Sequence, residues 1–379
     1  MNLYDELGVK RVVNASATLT RLGGSRMPPP VLDAMRAAAG SFVDYDELAR
    51  RVGARLASLT HNDACYVSCG AAAGIALAVA ACVAGDDPAK VARFPHLDGL
   101  KDEVVVHRGQ RNGYDYAARQ TGVRLVEIGT ARATFAWELD AAITERTACV
   151  LYFAGAHFAE GALPLPDVIA AAHARGVPVV VDAAAQIPPV SNLWHFTRDL
   201  GADLAVFSGG KGLRGPQSSG LVLGRADLVA ACRVNGSPNS AIGRPMKVGK
   251  EELAGLLAAV EWSLAQDEAA IFAGYEATVQ GWLRACADLP GVRAERGYPS
   301  EAGQPHSRAI VHILPESGTT RDALVAALWE GNPAVAVSPV GGDAVALNPQ
   351  CLEAGEAEIV TERLRVALRV PVVAAVRGT

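Results

Sequence analysis

The sequence predicts an α/β fold: a mostly parallel sheet flanked by helices, with a smaller C-terminal α+β domain. Two observations carry this. Between about residues 64 and 223, short and continuously apolar segments alternate with helical ones, as in a sheet covered on both faces. Near residue 250 that alternation stops and two long helical stretches follow. With 379 residues, 50% of them hydrophobic and 20% charged, the chain is long enough to bury a sizeable core.

The elements follow in order. Residues 11–30 mix polar groups, Gly23-Gly24 and three prolines, and read as an extended arm with turns. Residues 31–39 suit a short helix and 44–60 an amphipathic one. A strand at 64–67 leads into the apolar run AAAGIALAVAACVA, which is too short to span a bilayer and reads as a buried helix. Strands are expected at 103–107, 124–128, 148–153, 177–181, 204–207 and 220–223, with helices near 114–121 and 165–175 between them. Helices at 250–266 and 269–289 come next. Strands near 308–313 and 335–339 and helices at 321–329 and 357–369 complete the smaller domain. The expected organisation is an N-terminal arm with helices (1–60), a large domain (61–250) and a small C-terminal domain (251–379).

Composition removes several function classes. There are 35 Lys and Arg against 40 Asp and Glu, a formal charge of −5, so an electrostatic nucleic-acid binder is not expected. Seven scattered cysteines without a CxxC pair suit a reducing compartment rather than a disulfide framework or zinc site. The opening MNLYDELGVK has no apolar signal core. A cytoplasmic protein without a membrane segment or metal is expected.

Three segments carry chemistry. In LAVFSGGKGLRGPQSSGLVLG, a strand ends at Phe207 and Lys211 lies among glycines, which permit a sharp backbone course and close approach of a ligand. The string Gly210-x-Gly212-x-x-Gly215 imitates a dinucleotide fingerprint, but Pro216 and a further strand follow where a helix is required. A Walker A loop also fails, because Gly212 follows the lysine. In VPVVVDAAAQ, Asp182 ends an apolar strand, where open α/β sheets place ligand contacts. A buried carboxylate needs a partner, and a protonated pyridine nitrogen is one. In VSCGAAAG, a small-residue turn opens a helix whose free N–H groups suit a phosphate. Taken alone, Asp182 could be a cap, Lys211 a solvated loop residue and Gly70 a packing glycine. In this order on one sheet, an aspartate for a pyridinium and a lysine for a Schiff base point to pyridoxal phosphate.

These segments resemble the lysine, aspartate and phosphate-turn motifs of fold-type I pyridoxal-phosphate enzymes in the class V aminotransferase and cysteine desulfurase style. The stretches RVVNASATLTRLGGSRMPPPVLDAM and IGRPMKVGKEELAGLLAAVEW resemble, more narrowly, the selenocysteine-synthase-like (SelA-like) branch, especially D-glucosaminate-6-phosphate ammonia lyases. The resemblance covers most of residues 3–265 and is weaker beyond. It implies that Lys211 is the Schiff-base lysine and general base. It also implies that Asp182 pairs with the ring nitrogen, and that Gly70, Ala71, Ala72 and Ser208 hold the phosphate. His107 and Gln110 are candidates for stacking on the ring, and His157 and Gln186 for its phenolic oxygen. Arg21, Arg26 and Arg308 are candidates for substrate, and Arg244 and Lys247 for a phosphate across a subunit interface.

The sequence departs from its relatives at the alanines after Gly70, which replace a hydroxyl, and at Gly210, where cysteine desulfurases carry histidine. The second departure, with no cysteine-bearing loop in evidence, argues against sulfur transfer. The acidic balance argues against selenocysteine synthesis on tRNA. The expected activity is ammonia release by β-elimination from a small β-hydroxy amino acid, with or without a phosphate. Racemase, aldolase and aminotransferase activities use the same core, and a non-catalytic scaffold or sensor is the reading from another class. The resemblance implies a homodimer or an assembly of dimers.

Overall fold

The computed structural model describes residues 3–369. Strands in chain order are β1 (Val12–Asn14), β2 (Ala64–Ser68), β3 (Glu103–His107), β4 (Arg124–Ile128), β5 (Thr147–Phe153), β6 (Val179–Asp182), β7 (Leu204–Ser208), β8 (Gly220–Gly224), β9 (Val292–Gly297), β10 (Arg308–Ile313), β11 (Ala334–Ala336), β12 (Ser338–Val340) and β13 (Ala344–Leu347). The chain forms two compact units. Among the described residues, the larger comprises Arg26–Gln266 and Glu301–Gln304, and the smaller residues 3–25, Asp267–Ser300 and residues 305–369.

The larger unit holds a seven-stranded sheet of order β2-β8-β7-β6-β5-β3-β4. Neighbours from β7 through β4 run parallel, while β8 is antiparallel to both β7 and β2. Six strands therefore share one direction. Their apolar runs are continuous because both faces are covered. Alternation divides them between two cores. Val105, Val150, Val179, Val181, Ala205 and Phe207 enter one cluster. Val104, Val106, Leu151, Val180, Leu204 and Val206 enter the other.

The helix Ala71–Ala84 lies in the second cluster with eleven of its fourteen residues buried. It has no polar face because none is left to solvent. Gly74 is needed inside it: a Cβ there would lie 2.7 Å from Val206 Cγ1 and 3.2 Å from Val222 Cγ2. The other face is covered in part by Tyr45–Leu59 and Lys250–Leu264, which contribute Val52, Leu56, Leu253, Leu256 and Val260.

The smaller unit has a four-stranded antiparallel sheet, β12-β13-β10-β9, and a parallel pair, β1-β11. Trp282, on the helix Glu268–Cys286, is 1% exposed and donates its indole N–H to the Ala357 carbonyl at 3.3 Å. The single strand expected at 335–339 is two short ones, β11 and β12, separated at Val337 and belonging to different sheets. Strands β1, β9 and β13 were not anticipated. β9 reads VRAERG, alternates weakly and is largely solvated, so it carried no apolar signal.

Candidate active site

The six parallel strands end at one edge of the large sheet, and β8 begins there. Ser68, His107, Phe153, Asp182 and Ser208 are five of these strand ends. Gly70, Ala71, Ala72, His107, Gln110, His157, Asp182, Gln186, Ser208 and Lys211 all lie at or just beyond this edge. Arg26 is exposed in the same unit, where its carbonyl accepts from Arg214 Nε at 2.8 Å. Arg244 and Lys247 are exposed between the helices Ala226–Asn235 and Lys250–Leu264. Arg21 and Arg308 belong to the smaller unit.

Asp182 is 8% exposed, and its Oδ1 accepts the Ala184 N–H at 3.0 Å. Burial pushes its pKa above the usual carboxylate range, while the Ala184 N–H and the Lys211 charge pull it back. Burial likewise pushes the Lys211 ammonium down, opposed by Asp182. The two groups thus sense each other across the ends of β6 and β7.

The lysine loop is shaped by close packing. Gly209 donates to the Ser219 carbonyl at 2.8 Å, and Gly215 to the Gly209 carbonyl at 2.8 Å. A Cβ at Gly209 would collide with Ser219 Oγ, at Gly210 with Gln217 Cα, and at Gly212 with the Ile187 carbonyl oxygen. Around Lys211, glycine therefore allows the chain to approach its own backbone.

The turn at Gly70 has room for an anion. Gly70 caps the Ala71–Ala84 helix at φ +97°, and a Cβ on it would meet nothing within 4 Å. The turn is braced from beneath by Ser68 Oγ donating to the Gly70 carbonyl at 2.9 Å. Gly220, on β8, can carry no side chain, since a Cβ would lie 2.8 Å from the Gly70 carbonyl carbon. The first N–H groups of this fourteen-residue helix have no intrahelical acceptor, and the open space at Gly70 leaves room for an anion beside them.

His107 is fully buried, with its ring edge-on to Tyr152 at 5.7 Å between centroids. Neither ring nitrogen meets a partner in hydrogen-bonding geometry. Burial pushes its pKa down to about 4, with nearby Gln110 opposing. Gln110 is also fully buried; its Oε1 accepts the Phe153 N–H at 3.1 Å and its Nε2 donates to the Phe158 carbonyl at 3.4 Å. His157 is exposed and packs on Phe158 at 3.9 Å. Gln186 Nε2 donates to the carbonyls of Ala154 at 3.1 Å and Ala302 at 2.8 Å. The Glu301–Gln304 segment was not anticipated at the site. Only Gly303 and Pro305 marked it in sequence, as an ordinary turn.

A groove of about 740 Å³, lined by Arg50, Cys65, Ala226 and Arg233 among others, includes the opposite, amino-terminal end of β2. It is remote in the fold from the Asp182–Lys211 edge. Among the described residues no cluster of side chains suits a metal ion, and no helix is long and apolar enough to cross a membrane.

The residues present fit pyridoxal phosphate: a buried carboxylate for a ring nitrogen, a lysine of depressed basicity, and an open anion cradle. The sequence profile of aminotransferase class V matches residues 101–239, which include Asp182 and Lys211. A pyridoxal-phosphate-dependent enzyme of fold type I is the class that the fold and site define.

D-glucosaminate-6-phosphate ammonia lyase of Salmonella typhimurium is 33% identical over 96% of this chain and 97% of its own. A solved structure of D-glucosaminate-6-phosphate ammonia-lyase superposes with a TM-score of 0.84, at 33% identity over 97% of this chain and 98% of that one. The 5'-C-glycyluridine monooxygenase-decarboxylase of a Streptomyces species is 38% identical over 88% of this chain and 83% of its own. Serine palmitoyltransferase of Sphingomonas wittichii shares the fold, with a TM-score of 0.60 at 13% identity, covering 94% of this chain and 87% of that one. The chain belongs to the family of D-glucosaminate-6-phosphate ammonia lyase.

Proposed function

We propose that this protein is an ammonia lyase that converts a 2-amino-3-hydroxy acid, with a phosphorylated sugar acid such as D-glucosaminate 6-phosphate foremost, into a 2-oxo acid and ammonia. The observation that carries the reading is 33% identity to such a lyase along nearly the whole of both chains. When bound, pyridoxal phosphate supplies a carbonyl carbon that takes the substrate amine and a ring that accepts the electron pair left at Cα.

The chain's own residues do the rest. Lys211, whose basicity burial lowers, takes the Cα proton. Asp182 would pair with the ring nitrogen and keep it protonated. The N–H groups at Gly70, Ala71 and Ala72, with Ser208, would hold the phosphate. His107 and Gln110, both fully buried, would support the wall behind the ring from within the core, and His157 and Gln186 would line the edge near its phenolic oxygen. Water leaves from Cα and Cβ, and one water is taken up as ammonia departs. Arg21, Arg26 and Arg308 are assigned to the substrate's acidic groups, because a guanidinium fork binds two oxygens at once. The protein works in the cytoplasm as a homodimer or an assembly of dimers, with Arg244 and Lys247 at the interface.

A second reading rests on the 38% identity to the monooxygenase-decarboxylase. There the bond broken at Cα is to the carboxyl group.

The test is purified protein with saturating pyridoxal phosphate, beside Lys211→Ala. The wild type should show a band near about 410–430 nm that the variant lacks. With D-glucosaminate 6-phosphate it should release ammonia and 2-oxo acid in equal amounts. Carbon dioxide release with oxygen uptake, on a nucleoside amino acid, would instead establish the second reading. Absence of the band would remove both.

A further inference from the structure

The loop that carries Lys211 contains Gly209, Gly210, Gly212 and Gly215, yet none of these glycines adopts a left-handed backbone. That conformation falls to Arg214, at φ +56°. Among the described residues, His61 is the other non-glycine residue with positive φ. The left-handed region crowds a Cβ, so arginine is strained where glycine would not be. Such strain persists where the surroundings over-determine it.

The contacts at Arg214 do so. Its backbone N–H donates to the Lys211 carbonyl at 3.0 Å, closing the turn that begins at the lysine. Its Nε donates to the Arg26 carbonyl at 2.8 Å. Its guanidinium carbon lies 5.4 Å from the ring centroid of Trp262, over the indole face. One residue further along the same helix, Lys250–Leu264, Ser263 Oγ donates to the carbonyl of the fully buried Leu213 at 3.3 Å. The next loop residues continue along that helix. A Cβ on Gly215 would lie 3.1 Å from Ala259 Cβ, and one on Gly255 would lie 2.8 Å from Pro216 Cγ. All of these residues belong to the larger unit. Glycine at position 214 would allow the turn but would supply neither the donor to Arg26 nor the cation over Trp262.

We infer that Arg214 is a positioning residue for Lys211: its guanidinium, held by the Arg26 carbonyl and the Trp262 face, keeps the lysine turn in its left-handed course and so sets where the Lys211 amine lies. The inference rests on the assignment of Lys211 to the cofactor and the Cα proton made above. Arg214 acts through the loop and not on the substrate. Arginine suits this role because its Nε can donate in the guanidinium plane while the face of that plane stacks, and lysine offers no such pair of contacts.

Arg214→Gly tests this, because glycine takes φ +56° without strain and removes the clamp alone. In cofactor-free protein, amide hydrogen exchange across residues 209–215 should quicken about tenfold, while β6 and β7 keep their protection. In the reconstituted enzyme, kcat per folded molecule should fall about tenfold or more, with its pH profile and the pH dependence of the Lys211-dependent visible band both displaced. Arg214→Lys keeps the charge without the planar fork and should resemble the glycine variant. Trp262→Leu leaves residue 214 in place and should reproduce part of each effect. These two variants carry the same measurements should Arg214→Gly not fold. Unchanged exchange in the loop, or quickened exchange with kcat and the band unchanged, would overturn the inference. A wild type without the visible band would reject the cofactor assignment instead, and loop exchange in the cofactor-free variants would still decide whether Arg214 holds the lysine turn.

Discussion

Asp182 and Lys211 close adjacent strand ends of one sheet, and burial makes each less willing to ionise while the other's charge opposes the change. Burial without a cation in contact makes the Asp182 carboxylate a liability to the cofactor-free fold. Its folded pKa is raised, so the folded state binds more protons than the unfolded state just above the ordinary carboxylate range. Stability therefore falls as pH rises through that window. Cofactor-free Asp182→Asn should resist urea better than the wild type at pH 7, with the advantage gone at pH 4 and below. The reconstituted variant should lose about 10²-fold or more in kcat, because its amide cannot hold the ring nitrogen protonated. Urea titrations at the two pH values and steady-state kinetics check both halves.

His107 gives the opposite pH signature. Its pKa is pushed down to about 4 by complete burial, against an ordinary value of about 6.5. The unfolded chain takes up a proton that the folded chain refuses. The stability contributed is complete above pH 6.5 and is lost as pH falls towards 4, by up to about 3 kcal/mol. Cofactor-free wild type should show this loss in urea unfolding between pH 8 and 4. His107→Phe, which keeps a ring against Tyr152, should show it much reduced.

Strongly apolar stretches were legible in the sequence because their cause is local. Segments such as EVVVH and VPVVVD must be buried on both faces; Asp182 was visible because it ends such a run, and Lys211 because it follows one among glycines. β9 was not legible, since an edge strand with solvated arginines and glutamates carries no apolar signal. The Glu301–Gln304 segment was equally hidden. Its place depends on one glycine at φ +84° and on hydrogen bonds to residues more than a hundred positions earlier. Glycines around Lys211 were conspicuous, but their reason was not: the neighbours they accommodate, Ser219, Gln217 and Ile187, are set by tertiary packing.

That packing makes Gly212→Ala a sharp probe. The new methyl would meet the Ile187 carbonyl oxygen, with that residue's carbonyl carbon at 2.6 Å, and backbone cannot yield as a side-chain end can. Overpacking of this kind costs about 1–3 kcal/mol. Relief requires the Lys211 loop to move away from the loop after β6. The variant should fold with a lowered urea midpoint and bind pyridoxal phosphate at least about tenfold more weakly, read from the visible band during cofactor titration. Gly274→Ala is the control. It sits in a helix with nothing within 4 Å of the added methyl, and should leave cofactor affinity unchanged.

The opposite edge of the sheet separates stability from chemistry. Asp203 is 3% exposed and accepts from the Val179 N–H at 2.7 Å, His173 Nε2 at 2.8 Å and Arg225 NH1 at 2.6 Å. It ties the amino ends of β6 and β7, the same strands that deliver Asp182 and Lys211 at their carboxyl ends. The Arg225 guanidinium is held charged by Asp227 and Asp203. Asp203→Ala removes a buried acceptor from three donors and should cost about 3–5 kcal/mol. The strand ends to which we assign the chemistry are a sheet's length away. The folded fraction of Asp203→Ala, saturated with cofactor, should therefore turn over at the wild-type rate, while Lys211→Ala should keep its urea midpoint and lose activity. Measuring both quantities on both variants checks the division. A fall in kcat per folded Asp203→Ala molecule would mean that the spacing of β6 and β7 at the amino edge also sets the approach of Asp182 to Lys211.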